Sequence, residues 1–383
     1  MTKPLEGLLV LEFAQFMAAP TAGLRLADLG ARVIKIERPV KGEAGRQIAI
    51  RNIFVNGDSL VFHTINRNKE SYAADLKDAD DLERIKKLIK QADVITHNFR
   101  PGVMEKIGLD FKSVKAINPR IVYGVVTGYG TKGPWALRPG QDLLIQSLSG
   151  LAYLSGTSSD GPTPFGLATA DMICGAHFVQ GILAALIKRA KTNTASLVEV
   201  SLMESVLDLQ FEVITTYLND GGKLPQRSSI KGNGHAYLSA PYGIYQTSDS
   251  YLSLAMGDLF KIGEAFDIDL ETLYPEKESW FTHRDDIMSL LSEKIKAKTT
   301  AQWLTKLESE GIWCSEVFTY EQALQHEGYK ITGMQQQVKL PNGGTLTTTR
   351  CPIRINGQKL YSDIAAPRPG TTTESINAQY NLI

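Results

Sequence analysis

The sequence predicts an α/β protein: a Rossmann-like, open, mostly parallel sheet domain followed by a smaller α+β domain. Three observations carry that expectation. Residues 1–128 alternate strand-like runs with helical segments, the rhythm of βαβ units. The first run, Leu8-Leu9-Val10-Leu11, is continuously apolar, as a strand covered on both faces must be. The texture then changes at Asp220-Gly221-Gly222-Lys223-Leu224-Pro225, a linker signal.

The elements follow in order. A helix comes after the first strand, with Pro20 near its first turn and Gly30 just past its end. Residues 31–37 form the next strand, residues 72–76 another, and a helix covers 78–91. Strands at 93–96 and 121–126 complete the alternation. The charge run 78–90 reads as a solvated helix face. Residues 142–220 look largely helical. Within them a long apolar helix over 171–191 ends in Lys188, Arg189 and Lys191, cations that suit a helix C-terminus. A short strand at 195–200 precedes a further helix. Beyond the linker, strands at 242–246 and 251–255 mix with helices, one opening at Thr299 with Gln302 at capping-box spacing. The last fifty residues are rich in Pro, Gly and Thr, and are expected to run back irregularly over the first domain. The expected domains are 1–220, 221–330 and a return segment 331–383.

Composition narrows the function. Among 383 residues 43% are hydrophobic and 21% charged, with 41 basic and 41 acidic side chains. Net charge of zero argues against nucleic acid or a membrane surface as partner. No apolar run approaches the ~18 residues of a spanning helix. The N-terminus shows no leader pattern, so a cytoplasmic location is expected. Cys174, Cys314 and Cys351 are widely spaced, which fits free thiols rather than a disulfide framework or a metal site.

Several motifs fail on inspection. The opening strand–helix–strand ends in Glu37, where an acid grips ribose in dinucleotide sites. Yet the turn 13–20 lacks the G-x-G-x-x-G that lets backbone meet a pyrophosphate. A P-loop fails because Pro134 stands where Lys is required. No G-x-S-x-G elbow exists, and the six histidines are scattered. Two segments remain. Gly128-Tyr129-Gly130-Thr131-Lys132-Gly133 leaves a strand as a glycine-rich turn, either a plain loop or a backbone wall near a ligand. Asp142, after Arg138-Pro139-Gly140-Gln141, either caps the helix it opens or is a carboxylate poised for nucleophilic or acid–base work.

Five blocks in order resemble the family III CoA-transferases. They are Leu29-Gly30-Ala31-Arg32-Val33-Ile34-Lys35-Ile36-Glu37, Asn66-Arg67-Asn68-Lys69, Asn98-Phe99-Arg100-Pro101-Gly102, Gly128-Tyr129-Gly130 with Gly133-Pro134, and Asp142. The resemblance runs from residue 4 to about 255 and returns at 352–354 and 367–370. It implies an interlocked-ring homodimer, acyl-CoA and a free carboxylate as substrates, and no tightly bound cofactor or metal. It also implies Asp142 as covalent nucleophile, with CoA contacts at Gln15, Phe16, Ala18, Arg38, Lys69, Asn98, Phe99, Lys106 and Tyr129. Cationic Arg38, Lys69 and Lys106 suit phosphates, and Phe16 or Phe99 suits an adenine. Gln141, His235 and Tyr237 are expected to shape the acceptor pocket. Backbone N–H groups near Gly130 or the helix start at 142 are expected to hold the oxyanion. No stretch advertises a fatty-acyl tunnel, so the expected acceptor is a small polar acid.

Departures bear on the acceptor. Gln141 replaces the usual aromatic, and Gly232-Asn233-Gly234-His235-Ala236-Tyr237 replaces a run of consecutive glycines. Residues 311–316 lack the usual Pro. The alternatives are an acyl-CoA racemase or isomerase of the same superfamily, which would need a His facing the Asp, and a non-catalytic acyl-CoA-binding protein.

Overall fold

The computed structural model describes residues 3–383. The chain forms two compact units. One comprises residues 1–145, 168–209 and 331–383; the other comprises 146–167 and 210–330. The return segment thus joins the first unit, and two stretches expected with the first domain, 146–167 and 210–220, belong to the second.

The first unit is built on six strands: β1 (Leu9–Glu12), β2 (Arg32–Glu37), β3 (Glu70–Ala73), β4 (Val94–His97), β5 (Val122–Thr127) and β6 (Ser196–Ser201). Their order is β3-β2-β1-β4-β5-β6, and every pair is parallel. This is the doubly wound order, with its switch point between β1 and β4. All four residues of β1 and all four of β4 are buried, which explains the apolar Leu9-Val10-Leu11 and Val94-Ile95, although the strands end in the buried polar Glu12, Thr96 and His97.

Three helices matter most. α1 (Ala18–Asp28) follows β1, and Gly30 beyond it takes a φ of 112°, as its place past a helix end requires. α2 (Ala79–Gln91) is capped by Asp78, whose carboxylate accepts the N–H groups of Asp80 and Asp81. It buries Ile85, Leu88 and Ile89 against the sheet, worth about 1.5–3 kcal/mol each. α3 (Thr169–Thr192) packs on α1 and on β5 and β6. By length and composition α3 alone, among the described residues, could cross a membrane. Here its Cys174, Phe178 and Ile182 are buried as core.

Some expectations shift. The third strand is Glu70–Ala73 rather than 72–76. Residues 149–168 are mostly irregular, with one 3-10 turn, rather than helical. The tail forms hairpins, Gln335–Lys339 with Thr345–Thr349 and Arg354–Ile355 with Gln358–Lys359, and a helix Thr373–Tyr380.

The second unit carries a three-stranded antiparallel sheet, including Gly243–Gln246 and Tyr251–Leu254. Helices including Arg284–Ile295 and Thr300–Ser309 pack around it through Leu252, Leu254, Met288, Leu291 and Trp303. Thr299 and Gln302 form both bonds of a capping box.

Candidate active site

A cavity of about 560 Å³ opens at the carboxyl ends of the strands. Most of its wall comes from the loops after different strands, with Val61, Phe62 and Ile65 of the helix Leu60–Asn66 added. Phe16, Met17 and Ala18 follow β1, Gly45 and Ile48 follow β2, and Asn98 to Pro101 follow β4. Gly128, Ala136 and Arg138 to Gln141 follow β5, and Leu202 follows β6. Asp171, in the first turn of α3, completes it. This is where open α/β sheets place ligands.

The switch point is stitched shut at its base. The Gln15 N–H donates to Asn98 Oδ1 at 2.9 Å, and Asn98 Nδ2 donates back to the Gln15 carbonyl at 2.7 Å. The Asn98 side chain therefore ties two loops together. Phe99 lines the cavity and stacks on the buried His97 at 6.1 Å. Burial pushes the His97 imidazole down to about 4, so it is neutral near pH 7. Phe16 is half-exposed over the cavity, with a φ of 65°.

Beneath lies a buried charge network. Glu12 accepts from Lys35 at 3.2 Å and, through both oxygens, from Lys69 at 2.9 Å. Lys69, expected on a CoA phosphate, is turned inward instead. Its ammonium also donates to the Pro20 carbonyl at 2.8 Å and Asn66 Oδ1 at 2.9 Å, which leaves no hydrogen for a ligand. Burial pushes it down to about 8. Gly23 permits this network, because a Cβ there would run into the Glu12 carboxylate. Glu37 is likewise spent, on Arg46, Ser71 Oγ and the Glu43 N–H, so it cannot grip a ribose.

Two carboxylates meet where α3 begins. Asp142, at the start of helix Asp142–Leu148, accepts the backbone N–H of Asp171 on Oδ2 at 3.0 Å. It satisfies a first-turn N–H of α3 rather than serving only its own helix. Asp142 is absent from the cavity wall, whereas Asp171 forms part of it. Burial, and then the Asp142 charge, push the Asp171 carboxyl up to about 6, with the nearby Ala18 N–H at the start of α1 acting against them. That placement depends on close packing: a Cβ on Gly175 would lie 2.8 Å from the Ala18 carbonyl. Sequence reasoning missed Asp171, seeing only an acid at a helix start. The available signal was a single acid heading a long apolar helix.

The remaining expected residues are dispersed. Arg38 and Lys106 are exposed and off the cavity wall. Tyr129 lies in the adjoining loop, its ring edge-on to Trp135 and its hydroxyl donating to the Pro139 carbonyl at 3.4 Å. Gln141 is on the wall. The glycine turn is a backbone crossing: a Cβ on Gly128 would lie 2.7 Å from the Gly140 Cα. The Gly130 N–H, expected as an oxyanion donor, is taken by Thr127 Oγ1 at 2.8 Å. His235 and Tyr237 lie in the second unit. There His235 pairs with Glu212 at 3.1 Å, and Tyr237 donates to the Lys223 carbonyl at 3.3 Å. Arg100 and Arg138 line the cavity, a placement the sequence reading had not singled out. No cluster of His, Cys, Asp and Glu among the described residues could hold a metal. Burial pushes the Cys174 thiol up to about 12, so it is inert.

A parallel α/β sheet with a carboxylate-bearing cavity at its switch point defines the class as an open α/β enzyme. The chain belongs to CoA-transferase family III, whose model matches residues 5–373. A succinate–glutarate CoA-transferase of Agrobacterium fabrum is 29% identical over 99% of this chain and 96% of its own. An acetyl-CoA:oxalate CoA-transferase of Acetobacter aceti is 32% identical over 81% of this chain and 79% of its own. A crystal structure of a CAIB/BAIF family protein from Brucella suis superposes with a TM-score of 0.83 at 32% identity, covering 99% of this chain and all of that one.

Proposed function

We propose that this CoA-transferase works through an aspartyl-CoA thioester formed on Asp171, not on Asp142. One observation carries the choice: of the two adjacent carboxylates, only Asp171 lines the cavity, and burial makes it unusually basic. A desolvated carboxylate that is still ionised near pH 7 is a better nucleophile than an exposed one. Asp171 attacks the donor thioester carbonyl and expels CoA thiolate, leaving a mixed anhydride. The thiolate attacks the aspartyl carbonyl, and the donor acid departs. The acceptor carboxylate then attacks the aspartyl thioester and expels thiolate again. That thiolate takes the acceptor's acyl group from the second anhydride, and Asp171 is regenerated. The Ala18 N–H, at the open start of α1 on the same cavity wall as Asp171, serves the oxyanion that forms there.

CoA lies across the loops after β1 and β4, with Phe16 and Phe99 as apolar contacts. The acceptor is a short, polar carboxylic acid. Arg100 and Arg138 line the cavity, and neither guanidinium has a partner among the described residues. Either can grip a distal carboxylate. The relatives named for glutarate and oxalate act on acids of this kind. The active assembly is a homodimer of interlocked chains. A racemase is disfavoured because no His lines the cavity among the described residues; Gln141 is there instead.

The test is rapid intact-protein mass spectrometry after mixing with a panel of short acyl-CoAs. Wild type and Asp142→Asn should carry a CoA-sized or acyl-sized adduct, and Asp171→Asn none. An adduct on Asp171→Asn that is missing from Asp142→Asn would return the nucleophile to Asp142. Exchange of the α-proton with deuterium and no adduct would favour the racemase.

A further inference from the structure

We propose that Glu43 is a positioning residue for the transfer: its buried carboxylate holds the turn after β1 in the one conformation that delivers the Ala18 N–H to Asp171. The inference rests on the assignment of Asp171 as nucleophile. The turn 13–17 is short, and its Phe16 sits at φ 65°, a region that bulky L-residues avoid. Something must hold it there. The Phe16 N–H donates to Glu43 Oε2 at 2.8 Å. Two residues earlier, the Ala14 carbonyl accepts from Lys35 Nζ at 2.7 Å. Lys35 Nζ also lies 3.1 Å from Glu43 Oε1 and 3.2 Å from Glu12 Oε1.

One Lys–Glu pair thus grips both flanks of the turn. Both residues are almost completely buried, Lys35 with none and Glu43 with 5% of its surface exposed. Glu43 is itself anchored, its N–H donating to Glu37 Oε2 at 3.0 Å. Met17 and Ala18 lead from Phe16 into α1, Ala18 shares the cavity wall with Asp171, and the next turn of α3 packs at Gly175 against the Ala18 carbonyl. Loss of the Glu43 acceptor lets Phe16 relax to negative φ, which swings the start of α1 away from Asp171. A shift of about 1 Å there costs on the order of a hundredfold in rate.

The discriminating experiment is a double-mutant cycle between Glu43 and Phe16. Glycine adopts positive φ without penalty, so Phe16→Gly removes the need for a holder. Glu43→Ala and the volume-preserving Glu43→Met are each expected to lower kcat about 100-fold. KM for acyl-CoA should change far less than kcat, because Phe99 and the rest of the apolar wall stay in place while only Phe16 moves. In either background Phe16→Gly should restore about tenfold of kcat. Glu43→Gln, whose amide oxygen can still accept the Phe16 N–H, should stay within about fivefold of wild type. A structural role alone predicts something else: all three Glu43 variants lower Tm, the folded enzyme keeps wild-type kcat, and Phe16→Gly restores nothing. That pattern would overturn the inference. Adduct formation by Asp171→Asn, run alongside, would overturn the nucleophile assignment. Absence of coupling between positions 16 and 43 would overturn only the role of Glu43.

Discussion

The two sides of the cavity are built on opposite plans. Below β1 and β2, Glu12, Lys35, Lys69, Glu37 and Arg46 are buried, and their donors meet acceptors within the protein. Across the sheet, the loop after β5 is exposed through most of residues 131–141, and its Arg138 has no partner among the described residues. The first side is rigid because leaving any one charge unpaired there is costly. On the reading proposed above, the second accommodates different acceptors because it holds little of its own, so that the chemistry sits on the fixed side and recognition on the open one.

The sharpest way to break that comparison is at the carboxylate itself. Asp171→Asn should lower turnover by at least about 10³-fold with acyl-CoA affinity retained within a few fold, as measured by steady-state assay and calorimetry. Turnover within tenfold of wild type would remove Asp171 from the chemistry. Next in size is the cost of disturbing the rigid floor. Glu12→Gln leaves two buried ammonium groups short of a counter-charge and should destabilise the fold by about 3–5 kcal/mol in urea unfolding. Lys132→Ala, on the exposed turn, should change stability by less than about 0.5 kcal/mol. Equal costs would mean that the two sides do not differ as argued. Smaller again is Arg138→Ala. It should raise KM for the acceptor acid about tenfold, leave acyl-CoA binding unchanged, and leave Tm within a degree.

What the sequence made legible follows the same division between local and distant causes. The parallel sheet was readable where a strand carries its own apolar run, as Leu9-Val10-Leu11 and Val33-Ile34 do, whereas Glu70-Ser71-Tyr72-Ala73 carries none and was read two residues late; Gly30 is a local signal of the same kind. The Thr299–Gln302 box was readable because both of its bonds close within three residues. The site was only half readable. Asp142 and Asp171 both stand at helix starts, and nothing in either neighbourhood says which one faces the cavity. That is decided by α3 packing on α1, where Gly175 meets the Ala18 carbonyl from far along the chain. Lys69 misled for the same reason. Its neighbours suggest a free cation, while its partner Glu12 lies 57 positions earlier.

The finest test concerns how the two carboxylates speak to each other. On the proposed assignment Asp171 must be ionised to attack, so kcat/KM for the donor should fall about tenfold per pH unit below about 6 and be flat above it. Burial is the larger cause of that raised value and the Asp142 charge the second. Asp142→Asn keeps an oxygen to accept the Asp171 N–H but removes the charge. The inflection should therefore move down, yet stay above the usual carboxylate range because burial remains. At pH 8 this variant should lose only a few fold in rate. The sign carries into stability. A carboxyl whose folded value lies above its unfolded one costs nothing below both, and its full penalty applies above the folded value. Asp171→Asn should thus stabilise the fold at pH 8, by up to about 3 kcal/mol, and leave it unchanged at pH 3. An inflection that does not respond to Asp142→Asn would mean that the neighbouring charge is screened, and that burial alone makes Asp171 basic.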